Sequence, residues 1–433
     1  MRSNYKKLGD YIQQVSIKNK ELAVSNLLGV SITKEFIPSI ANTVGTDMSK
    51  YKIVQKGQFA YGPVTSRNGD KISVALLEDD SAIVSSSYTV FEIIDENELL
   101  PEYLIMWFRR EEFDRYARYM SHGSTREVFG WEEMCEVELP IPSIEKQREI
   151  VAEYYAITNR IKLNEQLNQK LEETAQAIYK EWFVDFEFPH NFSHSESSSL
   201  SLSKCDSESD IRPYKSGGGE MVWCDELEKE IPKGWKKIFL KDLMNVKHGF
   251  AYKGEFFSEK ENENILLTPG NVEIGGGFKN DKFKYYYGKV PKDYIFKPND
   301  IMVTMTDLSK ASDTLGLPAF IPQVTDKKFL HNQRLGKLEF FNESYKYIVY
   351  LLMCAKDYQY FVVSGATGTT VKHTSPTKIL EYSFSFMDDV KLLRLFNSVV
   401  IPIFSLIENK KIENQKLLAL KEVLLSKMAI VEG

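Results

Sequence analysis

Two stretches of this chain space their apolar residues alternately four and three apart. The first runs Ile150, Tyr154, Ile157, Ile161, Asn164, Asn168, Leu171, Ala175, Ile178 and Trp182. The second lies 246 residues further on and runs Phe396, Val400, Ile403, Ile407, Lys410, Asn414, Leu417, Lys421, Leu424 and Met428. Eight of the first ten positions and seven of the second ten are apolar, which marks a coiled-coil seam rather than a surface helix. Both place an asparagine at the same step, Asn168 and Asn414, where a buried polar pair trades stability for register. Pro402 lacks a backbone donor and predicts an early kink or a restart in the second helix. An ordinary amphipathic helix on a globular core would explain either stretch taken singly. Two at matching phase favour antiparallel pairing, with globular parts at opposite ends under a pseudo-twofold axis.

The repetition extends upstream. EYLIMWFRREEFDRYARYMSHGST (102–125) aligns at an offset of 242 with SYKYIVYLLMCAKDYQYFVVSGAT (344–367), matching Tyr103, Tyr116, Gly123 and Thr125 to Tyr345, Tyr358, Gly365 and Thr367. Each copy reads as an amphipathic helix that ends in a glycine-containing, hydroxyl-rich loop. VQKGQFAYG (54–62) and FKPNDIMVTM (296–305) each read as a turn followed by a buried strand. Residues 193–219 hold ten serines and a glycine triplet, a composition that cannot bury enough surface to order itself. The layout expected is a first domain over 1–143, a helical region over 144–188 and a flexible Ser-rich linker over 189–233. A second domain over 234–386 and a C-terminal helical region over 387–433 complete an α+β chain with a pseudo-twofold internal repeat.

A length of 433 residues is too great for one ordinary core, and 43% hydrophobic with 27% charged residues fits a globular chain. Uninterrupted apolar stretches such as Val399–Phe404 fall well short of a membrane span. The first residues, MRSNYKKLGDYIQQ, lack a secretory apolar region. The four cysteines (135, 205, 224 and 354) show no CxxC spacing and suit neither zinc nor a disulfide frame. A cytoplasmic location is expected, with no membrane partner. Net charge is −6 overall, but it is uneven: −5 over 1–143, −3 over 144–188, −4 over 189–233, +5 over 234–386 and +1 over 387–433. The second domain is therefore basic enough to approach phosphate, whereas the first needs a local patch or a cationic partner.

Catalytic signatures are absent. There is no G-x-x-x-x-G-K-[ST] loop, no G-x-S-x-G elbow, no H-E-x-x-H and no strand-borne G-x-G-x-x-G. The glycines at 275–277 precede Phe278 and Lys279 and read as a hairpin turn. His190 and His194 stand four apart, yet no neighbouring Cys or carboxylate cluster makes them a metal site, and none is expected.

The strings LPIPSIEKQREIVAEYYAITNRIKLNEQLNQKLEETAQAIYKEWFVDFEFP (139–189), IPKGWKKIFLKDL (231–243) and LIENKKIENQKLLALKEVLLSKM (406–428) resemble the specificity, or DNA-recognition, subunits of type I restriction–modification systems. The first half opens at NYKKLGDYIQ without the IP-x-GW entry of the second. The resemblance implies a non-catalytic subunit with two target-recognition domains, each followed by a conserved helical region and each reading one half of a split double-stranded DNA site. Two modification (methyltransferase) subunits would flank the helices and restriction (nuclease and translocase) subunits would join them. No cofactor is expected on this chain; S-adenosylmethionine, ATP and Mg would belong to the partners.

Base reading needs donors and acceptors on loops that enter a groove, with Arg suited to guanine, Asn or Gln to adenine, and small hydroxyls to bases or phosphates. Five loops qualify: YGPVTSR (61–67), SHGSTR (121–126), KHGFAYK (247–253), TMTDLSK (304–310) and SGATGTTVK (364–372). The candidate contacts are Ser66, Arg67, Ser124, Thr125 and Arg126 in the first domain. In the second they are Lys247, Thr306, Ser309, Lys310, Thr367, Thr369, Thr370 and Lys372. Arg126 leads the first group, and Lys310 and Lys372 the second. Gly-Ser-Thr loops also serve merely to turn a chain, and a coiled-coil adaptor that binds proteins is the competing reading. A seam of 33 helical residues spans about 50 Å, at most about 15 base pairs. Overlap of the domains onto the helix ends brings the expected spacing nearer 10 base pairs.

Overall fold

The computed structural model describes residues 5–39, 45–65, 69, 71–122, 127–191, 211–307, 309, 312–323 and 326–430. Ser66, Arg67, Ser124, Thr125, Arg126 and Lys310 among the candidate contacts, with His194 and Cys205, lie outside the described residues. The chain divides into two compact units, residues 1–165 with 411–433 and residues 166–410. The expected boundaries treated the helical regions as separate segments. Instead each long helix contributes one end to either unit, because its buried residues join two different cores.

In the first unit, strands β1 (Ile12–Val15), β2 (Phe59–Tyr61), β3 (Val74–Leu76) and β4 (Thr89–Ile93) form an antiparallel sheet in the order β1-β4-β2-β3. Gly57, at φ +85°, supplies the left-handed turn into β2 that a side chain would resist. Phe59 stacks on Phe91 at 4.8 Å, and Phe108 meets both rings edge-on. The helix expected over 102–125 is two helices, α1 (Pro101–Phe108) and α2 (Glu111–Met120). Arg110 is extended between them, which turns Phe108 and Phe113 into one core at 4.6 Å. Its guanidinium, nearly fully buried, lies 4.3 Å from the Trp107 ring centre.

Helix α3 spans Ile144–Tyr179 and continues into a π turn over Lys180–Val184; at 1.5 Å per residue its 36 residues extend about 54 Å. Its first turn is anchored by Gln147, which is fully buried. The Gln147 amide accepts from the Leu100 N–H at 2.9 Å and donates to the carbonyls of Glu98 and Pro142 at 2.8 and 3.0 Å. Ile150 and Tyr154 share a core with Leu425 and Met428, from the end of the C-terminal helix. Arg160 pairs with Glu413 at 2.6 Å. Asn414 bonds not to Asn168 but to Asn164, whose amide donates to it at 2.8 Å, and its own amide donates to the Ile161 carbonyl at 3.3 Å.

In the second unit, β5 (Met244–His248), β6 (Ile301–Thr304), β7 (Pro318–Phe320) and β8 (Leu335–Phe340) form an antiparallel sheet in the order β5-β8-β6-β7. Asn299, at φ +64°, takes the left-handed place before β6. Helices α4 (Lys346–Met353) and α5 (Lys356–Ser364) again replace one expected helix, with the break at Cys354 and Ala355. Helix α6 runs unbroken from Val390 to Lys427 through Pro402. The expected restart does not occur: Phe396 and Val400 are fully buried just before the proline, and their packing outweighs one lost backbone bond. Phe396 lies 5.6 Å from Trp182 and 4.9 Å from Phe183. An 18-residue window of the Val390–Ile430 segment has a mean hydropathy of 1.8 and qualifies as a membrane span by length and composition. Lys391, Arg394, Asn397 and Ser398 interrupt the segment, so no uninterrupted apolar run marks it in the sequence. Here its Leu392, Leu393, Phe396 and Val400 lie in the core of the second unit.

Of the expected flexible linker over 189–233, residues 192–210 lie outside the described residues, and the described parts form two strand pairs. Pro189–Asn191 pairs with Ile211–Pro213, and Met221–Cys224 pairs with Lys229–Pro232. Aromatic packing provides what the serine content could not: Phe188 stacks on Tyr214 at 4.7 Å and on Trp235 at 5.5 Å. Strands and helices are mixed within each unit, as expected of α+β. Three successive glycines at 275–277 have φ of +92° to +104° and close the turn between Val272 and Phe278.

Candidate nucleic-acid interface

Strand register gathers the second unit's loops at one end of its sheet. His248, the last residue of β5, stands opposite Gly336, while Thr304, the last of β6, stands opposite Leu335, the first of β8. Val303 is opposite Pro318, the first of β7. Residues after 248, after 304, before 318 and before 335 therefore leave the sheet together. Thr306–Asp307 then pairs antiparallel with Lys372–His373, which brings in the 364–372 loop. Thr367 and His373 exchange backbone bonds of 3.0 and 2.9 Å. Gly368, at φ +94° and with the Val371 carbonyl where a Cβ would sit, permits that tight return.

Thr306, Ser309, Thr367, Thr369, Thr370 and Lys372 thus join one loop cluster. They differ in availability. Thr367, Thr369 and Thr370 are exposed, and Lys372 is half-buried. Thr306 is buried with its hydroxyl 3.2 Å from Nδ1 of the exposed His373, so it supports the cluster rather than offering a contact. The Ser309 hydroxyl accepts from the Asp313 N–H at 3.1 Å. Lys247 donates to the Asp293 carbonyl at 2.9 Å and lies 4.9 Å from the Tyr294 ring centre, which holds its charge beside the sheet end.

Asp307 organises the cluster. Its buried carboxylate accepts from Ser309 N–H at 2.6 Å, Thr314 N–H at 2.7 Å and the Thr314 hydroxyl at 2.8 Å. Burial alone would raise its pKa, but these amide and hydroxyl donors outweigh burial and hold the carboxyl below its usual range.

The first unit repeats these connections on different residues. Val64 and His122 each bridge to Val128, as Thr306 and Thr367 do to His373. The Thr65 N–H donates to the Glu127 carbonyl at 3.0 Å and its hydroxyl to Ser121 Oγ at 3.0 Å. Arg118 pairs with Glu127. The described ends of the 61–67 and 121–126 loops therefore meet.

Residues 6–173 match the family described as the type I restriction modification DNA specificity domain. A type I restriction enzyme specificity subunit of Haemophilus influenzae (HindI) is 24% identical over 472 aligned positions, covering 97% of each chain. One from Methanocaldococcus jannaschii (MjaIX) is 26% identical over 347, covering 78% of this chain and 71% of the relative. Over residues 6–173, then, the chain resembles the DNA specificity domain of type I restriction–modification systems. The fold agrees: the S subunit of a type I system from M. genitalium superposes with a TM-score of 0.51, covering 99% of this chain and 96% of that one, at 14% identity.

Four exposed residues of the second unit were not among the candidate contacts. Gln333 and Arg334 sit on a turn between Leu330 and β8, at the same sheet end as Thr306; His248 and His373 border it. A polar run, His331–Arg334, between two buried leucines was the signal, but only strand order reveals which loops it joins.

Proposed function

We propose that the protein reads a bipartite DNA site, one half through each sheet end, and that its paired long helices set the gap between halves. The recurrence of one bridging pattern carries this reading: 64, 122 and 128 in the first unit correspond to 306, 367 and 373 in the second. Two such readers on one chain suit a split target, as two half-site domains do in other DNA-binding proteins. The seams act as an antiparallel coiled coil. Support comes from either unit: residues near 154 pack with those near 425, and Trp182 packs with Phe396. Two modification subunits dock along the helices and bring S-adenosylmethionine; restriction subunits bring ATP and Mg. Those partners also supply cationic walls for the acidic first half, since phosphate neutralisation provides most nonspecific affinity.

The test is sequencing of DNA methylated by the assembled complex, with and without exchange of residues 234–386 for those of another specificity subunit. A two-part motif in which the exchange rewrites one half supports the reading. A contiguous motif, or change in both halves, overturns it.

A further inference from the structure

The turn over Asn332–Leu335 presents two adjacent side chains on a backbone with almost no freedom. Leu335 N–H closes the turn on the Asn332 carbonyl at 2.9 Å. Gln333 N–H donates to the Phe250 carbonyl at 2.9 Å, and Arg334 N–H to Asn332 Oδ1 at 3.2 Å. The Arg334 carbonyl accepts from Met305 N–H at 2.9 Å. His331, buried before the turn, has Nε2 2.9 Å from the Leu335 carbonyl and packs 4.6 Å from Phe296. On the other side Gly249 presses so close that a Cβ would fall 2.0 Å from the Asn332 carbonyl oxygen. The turn is therefore pinned to the loops after β5 and β6, and ordering it on binding costs little.

The side chains it carries are exposed. Neither Gln333 nor Arg334 makes a side-chain hydrogen bond or ion pair with another described residue, whereas Lys247, Lys337 and Asp307 nearby are all engaged. An unengaged guanidinium beside an unengaged amide, held at fixed spacing, matches direct base readout. Arginine forks onto guanine O6 and N7, and glutamine pairs with adenine N6 and N7. The flanking Thr369, Thr370, Lys372 and His373 suit phosphates, which position without specifying. The corresponding turn of the first unit, closed by Tyr88 N–H on the Ser85 carbonyl at 3.0 Å, carries Ser86 and Ser87. Neither serine offers a two-pronged donor set.

Building on the function proposed above, we infer that Arg334 and Gln333 are specificity-determining residues of the second domain, reading a guanine and a neighbouring adenine in its half-site. The experiment selects bound sequences from a randomised DNA library, using the full chain assembled with the modification subunits of its own system. The wild-type complex first establishes a two-part site; absence of one refutes the function proposed above, not this assignment alone. R334A is expected to lower the preference for guanine at one position of one half by about 10- to 100-fold, with the other half unchanged. Q333A should relax an adjoining adenine. Q333E should move that position toward cytosine, whose N4 amine donates to a carboxylate, a redirection that loss of structure cannot produce. A two-part wild-type site with base preferences unaltered in R334A and Q333A overturns the inference. Uniform weakening over all sequences, with a shallower salt dependence, also overturns it and makes these residues phosphate contacts.

Discussion

Asp307→Asn isolates the device that shapes the second loop cluster. One carboxylate oxygen accepts from Ser309 N–H, and the other accepts from both Thr314 N–H and the Thr314 hydroxyl. An asparagine retains one oxygen and opposes the remaining donors with its own NH₂. At least one buried N–H then loses its acceptor, a loss of about 1–3 kcal/mol, equivalent to about a 5- to 150-fold rise in local opening. Hydrogen exchange at the Ser309 and Thr314 amides should accelerate by that factor while the core amides of β6 and β8 keep their rates. The pH dependence follows from the depressed carboxyl. Its stabilisation is complete above the unfolded carboxyl's pKa of about 3.9 and is lost as pH falls through the lower folded value. The asparagine variant should lose that acid-dependent component. Unchanged exchange at both amides would refute the claim that Asp307 holds this loop.

Phe396→Ala removes a fully buried ring between Trp182 and Phe183 and should cost about 3–5 kcal/mol. Urea unfolding reads this, against Val399→Ala, an exposed control expected within about 0.5 kcal/mol. His331 is pushed down to about 4, mainly by burial, so the unfolded chain takes up its proton first on acidification. Stability should therefore fall between pH 6.5 and 4 by about 1.4 kcal/mol per unit from this residue, and urea midpoints of His331→Gln should lack that slope. Asn164→Leu removes the donor to Asn414 Oδ1, while the Asn414 amide keeps the Ile161 carbonyl, and should destabilise by about 1–3 kcal/mol. Adding Asn414→Leu should recover much of that in a double-mutant cycle, because an apolar pair replaces a polar one at little cost.

The helical seams were legible because burial follows their spacing: Ile150, Tyr154, Asn164, Asn168, Ala175 and Trp182 are all buried, with exposed residues between them. Spacing says nothing about stagger, so the partner of Asn414 turned out to be Asn164. The break between paired helices was hidden in the first copy because Arg110, a good helix former by propensity, is extended with its guanidinium buried over the Trp107 ring. The folded hairpins of the connector escaped because serine content masked Phe188, Tyr214 and Trp235, whose rings find one another only in three dimensions. The hydroxyl-rich loops were recognisable by composition, and their convergence on Thr306 and His373 is consistent with the repeat. Gln333 and Arg334 were not recognisable, because their significance rests on the antiparallel order that sets β8 between β5 and β6.

If the long helices are a ruler, lengthening them must lengthen the gap between the half-sites. Both run from one unit into the other. Seven residues inserted into each, at 165/166 and 410/411, keep the four–three seam and add about 10.5 Å, or about three base pairs. Methylated DNA sequenced from cells carrying the insertion complex should show both half-sites unchanged and the gap between them longer by about three base pairs. Retention of the original gap by an active insertion complex would contradict the ruler.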